Sequence, residues 1–198
     1  MALLLVFFCA GCTGSPTAYL LARHVGPDLS YRDFVVCKDY GCTTVVPMAL
    51  KPDEWAQVKA LFATGAADAA RERATIAQAV ALFEKIVGPK AGTMGDEAGA
   101  DLILTSKQEQ QDCIDESFNT TTYITLLEWN GLLRWHHVGE PARRGKFVDL
   151  EWPHNTATVI EISTDNWYAI DSWFHKNGEL PEIVPVQVWL DGWRPEGA

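Results

Sequence analysis

The sequence predicts an α+β fold in which helices come first and an antiparallel sheet follows. Three observations carry this. Apolar residues recur at three- and four-residue spacing through the middle of the chain, as Ala69, Ile76, Val80, Phe83 and Val87 do. From Leu132 onward the text turns β-branched and aromatic, cut by turn residues. Seven of the eight tryptophans lie at or after Trp129, so the C-terminal half is expected to hold the aromatic core and the walls of a cleft. With 47% hydrophobic and 21% charged residues over 198 positions, the chain can bury a core of its own.

The elements follow in order. Residues 31–37 and 43–46 read as two short strands. Pro52-Asp53-Glu54 opens a helix to about Phe62, with proline in the first turn and acids at the positive end of the dipole. A longer helix is expected from about Ala67 to Val87, ended by Gly88-Pro89, and a glycine-rich connection without a phosphate-binding fingerprint covers 88–101. A third helix starts at Asp112 or Cys113 and reaches about Trp129. Its Asn119-Thr-Thr-Thr run has poor helix propensity, so packing must hold it. Strands are expected over 132–138, 156–163 and 167–173, with turns at Gly139, Pro153 and Lys176-Asn177-Gly178, and a short closing helix over 185–193. Arg143-Arg144-Gly145-Lys146 reads as a solvated loop.

The first residues, Met1-Ala-Leu-Leu-Leu-Val-Phe-Phe-Cys-Ala-Gly-Cys12, are too short an apolar run to span ~30 Å of hydrocarbon. They resemble the end of a bacterial lipoprotein signal, with small residues before a cysteine that takes the lipid, although no Lys or Arg precedes the apolar run. The resulting division is a signal peptide at 1–11, a tether at 12–30, an N-terminal extension at 31–64 and a main domain at 65–198. The expected location is the periplasmic face of a bacterial membrane, held by a lipid on Cys12. Cys9 falls in the signal. Cys37 and Cys42 flank a turn-forming Lys-Asp-Tyr-Gly and are expected to form a small-loop disulfide in an oxidising compartment. Cys113 is then the odd thiol. A formal charge of −10 repels phosphate backbones, so nucleic acid is not an expected partner.

Three segments carry chemistry: Gln110-Gln111-Asp112-Cys113-Ile114-Asp115-Glu116, Pro153-His154-Asn155-Thr156 and Ile170-Asp171-Ser172-Trp173. A cysteine at a helix start feels the positive dipole end, which favours the thiolate. A histidine takes its proton, and a carboxylate orients the ring. His154 opens one strand and Asp171 lies in the next, so an antiparallel pairing can bring them together. Gln108, Gln110 and Gln111 are candidate oxyanion donors, and Asp112 is expected to cap the helix. His136-His137 point to opposite faces of a strand, and His24 and His175 are isolated; no metal and no cofactor is expected.

Cysteine at a helix start, histidine opening a strand and aspartate in the next strand, with gaps of 41 and 17 residues, resembles the transglutaminase-like branch of the papain-type fold. The nearest flavour is the bacterial periplasmic transglutaminase-like cysteine proteinases, whose cysteine segment often reads Asp-Cys-x-Asp. The resemblance spans roughly residues 65–175. It implies Cys113 as nucleophile, His154 as general base and acid, Asp171 as orienting acid, and a peptide or protein substrate. Two positions depart from the pattern: Asn155 follows the histidine where many relatives have an aromatic or small apolar residue, and Ile114 replaces an acid of calcium-binding relatives. No metal site is therefore carried over, with Asp112 and Asp115 left as candidates for one and helix capping the expected job of Asp112. Three readings stay open. One is hydrolysis of a peptide or amide through an acyl-enzyme, with Trp135, Trp152, Trp167 and Trp173 shaping the cleft. Another is acyl transfer to an amine, and the last is a non-catalytic envelope lipoprotein that uses the fold for binding.

Overall fold

A computed structural model describes residues 29–99, 109–145 and 153–196. The signal peptide, most of the tether, the Cys12 lipidation site, Gln108, Lys146 and Trp152 lie outside the described residues. The architecture is α+β. An antiparallel hairpin, β1 (Phe34–Lys38) and β2 (Thr44–Met48), leads into three helices, α1 (Pro52–Leu61), α2 (Ala69–Ala91) and α3 (Cys113–Trp129). A four-stranded antiparallel sheet follows in the order β3 (His136–Arg144), β4 (His154–Glu161), β5 (Trp167–Asp171) and β6 (Glu182–Pro185), and α4 (Val186–Leu190) closes it. Among the described residues no helix is long and apolar enough to cross a membrane.

Helix α3 lies at the centre. Phe118, Tyr123, Leu126 and Leu127 pack with the hairpin, Trp55 and Val58 of α1, and Phe83 and Val87 of α2. Ile124 turns the other way and joins Ile76 and Val80 of α2 against Ala157, Val159 and Ile170 of the sheet. Residues 31–64 therefore share one apolar core with α2 and α3. Because α3 is covered on all sides, its weak Asn-Thr-Thr-Thr run is buried and the side chains of that run bond within the protein, while Ser117 Oγ nearby has no hydrogen-bond partner among the described residues. Thr121, Thr122 and Thr125 donate to the carbonyls four residues back at 2.6, 3.0 and 2.7 Å. Asn119 pairs with both backbone groups of Cys37, accepting from its N–H at 2.7 Å and donating to its carbonyl at 2.9 Å. The side chain acts as one more rung of the β1 ladder.

Several expectations change at this level. Helix α2 does not stop at Gly88-Pro89; it runs to Ala91 with Pro89 inside and ends on Gly92 in the left-handed conformation. Proline near a C-terminus forfeits one N–H donor, and a left-handed glycine closes the helix one turn later. Gly139 is no turn but sits inside β3, where the register shifts between Gly139 and Ala142. A Cβ there would come within 2.3 Å of the Thr158 hydroxyl, so only glycine fits. Arg143 and Arg144 belong to the end of β3 rather than to a solvated loop. Strand β6, which the sequence reading did not include, pairs with β5 from Tyr168↔Pro185 to Asp171↔Glu182 and leads directly into the closing helix.

Candidate functional site

The start of α3 is built by capping. Asp112 Oδ1 accepts from the N–H groups of Ile114 and Asp115, both at 3.0 Å, and its Oδ2 from Gly41 at 2.9 Å. Asp115 answers from the third helical position, accepting from Asp112 at 3.2 Å, Tyr40 at 2.8 Å and Cys42 at 2.6 Å. This is a capping box extended into the hairpin turn. All four carboxylate oxygens are taken by backbone donors, which is the capping role expected of Asp112. Burial, aided by the neighbouring Asp112 charge, pushes the Asp115 carboxyl up to about 7 despite those donors. Cys37 and Cys42 form the expected disulfide at the base of the same turn.

Cys113 occupies the first position of α3 and is 8% exposed. Its own N–H is one of the helix-start donors with no intrahelical partner. The sulfur lies against the entry to β4. It donates to the Pro153 carbonyl at 3.9 Å and accepts from Asn155 Nδ2 at 3.7 Å, so it touches the residues on both sides of His154. No hydrogen bond joins it to the imidazole itself. Desolvation, with a smaller contribution from Asp112 and Asp171, pushes the thiol up to about 11, against the opposing pull of hydrogen bonds from Asn155. Burial outweighs the pull of the helix start, so Cys113 rests as a thiol and not as the thiolate that a helix start alone suggests.

His154 Nε2 and Asp171 Oδ2 are 2.7 Å apart, and both residues are buried. With Nε2 committed to the carboxylate, Nδ1 is the nitrogen that can serve the thiol. The ring packs against Trp173, Phe174 and Trp189 at centroid distances of 4.8, 5.5 and 5.4 Å. Trp189 Nε1 donates to the same Asp171 oxygen at 2.6 Å. Arg144 lies over the Trp189 ring at 4.3 Å and donates to the carbonyls of Trp189 and Trp193. Below, Ser172 Oγ donates to Glu116 Oε2 at 2.5 Å, tying the first turn of α3 to the end of β5.

Glu116 belongs to a buried acid group with Glu84 and Asp96. Burial, then the Glu116 charge, pushes Asp96 up to about 9, and burial raises Glu84 and Glu116 as well. Gly178 N–H donates to Glu84 Oε2 at 2.7 Å, while Oε1 is buried without a hydrogen-bond partner.

A cavity of about 500 Å³ is lined by Ala98, Gly99, Trp173, Phe174, His175 and Arg194 among others. Trp173 and Phe174 also pack on the His154 ring, while Cys113 and His154 are not among the lining residues. No family model, no curated protein and no solved structure matches the chain.

The structure thus brings Cys113, His154 and Asp171 to one place. The glutamines behave differently. Gln110 donates to the Gly95 carbonyl at 2.8 Å and accepts from Glu97 N–H at 3.1 Å, and Gln111 donates to the Cys37 carbonyl at 3.2 Å. The first amide fastens the 95–97 loop and the second the end of β1. Of the tryptophans, Trp173 stands at the site, but Trp135 bonds the Ala66 carbonyl and Trp167 is 38% exposed at the start of β5. Trp189 and Asn155 are the site residues that sequence reasoning missed. The departure at position 155 was the available signal for the second; nothing distinguished Trp189 among the tryptophans. His136 and His137 do alternate: the first is buried on Glu72 at 2.9 Å, the second bonds Glu128 at 2.7 Å.

Proposed function

We propose that this chain is a thiol hydrolase of transglutaminase-like type, cleaving a peptide or amide bond through an acyl-enzyme on Cys113. The observation that carries the reading is the His154–Asp171 pair with the Cys113 sulfur lodged between the two residues flanking that histidine, at a helix start. The α+β order of helices followed by an antiparallel sheet accords with a papain-type or transglutaminase-like fold. With the thiol held near 11, proton removal accompanies attack, which requires Sγ and Nδ1 of His154 to come within hydrogen-bonding reach; apo geometries of this kind tighten when substrate binds. Asp171 stabilises the imidazolium that forms. His154 then hands the proton to the leaving amine, and water releases the acyl group. Passing the acyl group to an amine instead of water uses the same machinery. The raised thiol pKa is the observation that favours the third reading, a binding module with an idle cysteine.

The site of action we infer is the cell envelope, with the chain anchored by a lipid on Cys12; the Cys37–Cys42 bridge fits an oxidising compartment. Mass spectrometry of the protein from its native host would show a lipidated Cys12 as the first residue, and an unmodified N-terminus upstream of it would reject the anchor.

The catalytic reading is tested with p-nitrophenyl acetate. A burst of nitrophenolate with an acetyl group on Cys113, absent in Cys113→Ala and slowed in His154→Ala, supports it. Equal rates for wild type and Cys113→Ala leave the binding module. Added hydroxylamine or a primary amine separates the two chemistries: hydroxamate or amide product, respectively, in preference to acetate assigns acyl transfer.

A further inference from the structure

We propose that Asn155 is a catalytic residue, donating its side-chain N–H to the oxyanion of the tetrahedral intermediate formed on Cys113. The proposal rests on the reading of Cys113 as nucleophile and deepens it. Acyl chemistry needs donors aimed at the oxygen that becomes charged, about 2.7–3.1 Å from where it will sit. One is supplied by the helix start, the Cys113 N–H. Neither described glutamine before the cysteine is placed to be the other, because Gln110 and Gln111 spend their amides on Gly95, Glu97 and the Cys37 carbonyl. Asn155 Nδ2 instead points at the sulfur, 3.7 Å away.

The oxyanion is attached to the carbon that the sulfur holds, so a donor already touching sulfur needs only a small side-chain adjustment to reach it. The side chain is half-buried, and the strand beneath it is paired in register with Arg143 of β3. A neutral amide is the fitting chemistry in this place. It donates without adding charge beside Asp112 and Asp171, whose fields already oppose a thiolate.

In the reaction the Sγ–C bond forms as the thiol proton passes to His154 Nδ1 and the carbonyl π pair moves onto oxygen. Asn155 Nδ2–H and Cys113 N–H hold that oxygen. When the pair returns to carbon, the C–N bond breaks and the proton goes from His154 to the leaving amine. Asn155 exchanges no proton at any stage.

The test compares the full-length protein with Asn155→Ala, Asn155→Asp and Asn155→Gln, using three probes. The first is p-nitrophenyl acetate, which reads acylation. The second is N-acetylglycinal, an aldehyde that forms a hemithioacetal whose oxygen occupies the oxyanion position. The third is iodoacetamide, which forms no oxyanion and reads the thiol alone. The expected result is an acylation rate about 10²-fold lower in the Ala and Asp variants, with a parallel loss of aldehyde affinity and partial recovery in Gln. Iodoacetamide rates should fall far less, and the melting temperature of Asn155→Asp should stay close to wild type. Acylation within about threefold of wild type in Asn155→Ala overturns the proposal. So does an equal loss with iodoacetamide, which would make Asn155 only a partner of the resting sulfur. If wild type shows no Cys113-dependent acylation, the catalytic reading itself fails, and this assignment falls with it.

Discussion

Trp189 donates its indole N–H to Asp171 Oδ2 at 2.6 Å, on the same oxygen that His154 Nε2 reaches at 2.7 Å. The closing helix therefore braces the acid of the His–Asp pair from behind, and Arg144 holds that helix from β3 by capping the Trp189 ring and carbonyl. A carboxylate buried to 2% exposure depends on such donors.

Trp189→Phe keeps most of the apolar contact and removes the donor. Deleting one hydrogen bond to a buried charged group costs about 1.5–3 kcal/mol, so urea unfolding should show a loss in that range. The His154-dependent acylation should slow as well, because the carboxylate that orients the ring is freed to turn. A stability loss under about 0.5 kcal/mol would mean the bond contributes nothing net.

Alkylation of Cys113 tests the balance between burial and helix dipole. With the thiol near 11 rather than the usual 9, its thiolate fraction at pH 7 is about 10²-fold below that of an unperturbed thiol. Iodoacetamide should therefore react more slowly than with a free model thiol at pH 7, and the rate should keep rising beyond pH 10. A plateau reached below pH 8 would show a preformed thiolate–imidazolium pair and reverse the mechanism drawn above.

How far the sequence carries can be argued from these residues. Cys113, His154 and Asp171 were legible because each sits where an element begins or ends, and element boundaries leave strong local marks: an acid before the helix, a proline before β4, a serine after β5. The α+β order was legible for the same reason. Trp189 was not, because its role depends on a fold-back of the C-terminus onto β5, and periodicity says nothing of where a short helix lands. The raised thiol pKa was also hidden. A cysteine flanked by Gln, Asp and Glu reads as exposed, yet α3 is sheathed by hairpin, helices and sheet, and desolvation is a property of that packing. Pro89 misled for a local reason, since it marks a helix end only to within a turn.

The acid group under the site makes stability depend on pH. Burial raises the carboxyls of Asp96, to about 9, and of Glu84 and Glu116. A folded-state pKa above the unfolded one means the folded protein holds a proton that the unfolded chain has released. The stabilising contribution is then complete below about pH 4, the unfolded range. It is lost as pH rises towards the folded value, at about 1.4 kcal/mol per pH unit for each proton retained. The urea midpoint should be higher at pH 5.5 than at pH 8.5. Asp96→Asn should narrow that difference by removing one of the titrating groups. A midpoint equal or higher at pH 8.5 would show that the acids are ionised in the folded state.

The disulfide turn should matter to the site although it touches no reacting atom. Asp39, Tyr40, Gly41 and Cys42 all adopt positive φ, at 66°, 64°, 68° and 59°. Each non-glycine residue there costs roughly 1–2 kcal/mol, and the arrangement persists because the Cys37–Cys42 bridge closes it and its N–H groups feed Asp112 and Asp115. Cutting the bridge in a Cys37→Ser, Cys42→Ser double variant should lower stability by about 2 kcal/mol. It should also loosen the α3 start, because the released turn can leave the left-handed region and withdraw its donors from both caps. Hydrogen exchange would read this as faster exchange at Ile114 and Asp115, while β4 and β5 keep their protection. Unchanged exchange at the helix start would show that Asp112 and Asp115 cap α3 without help from the turn, leaving the bridge a purely local brace.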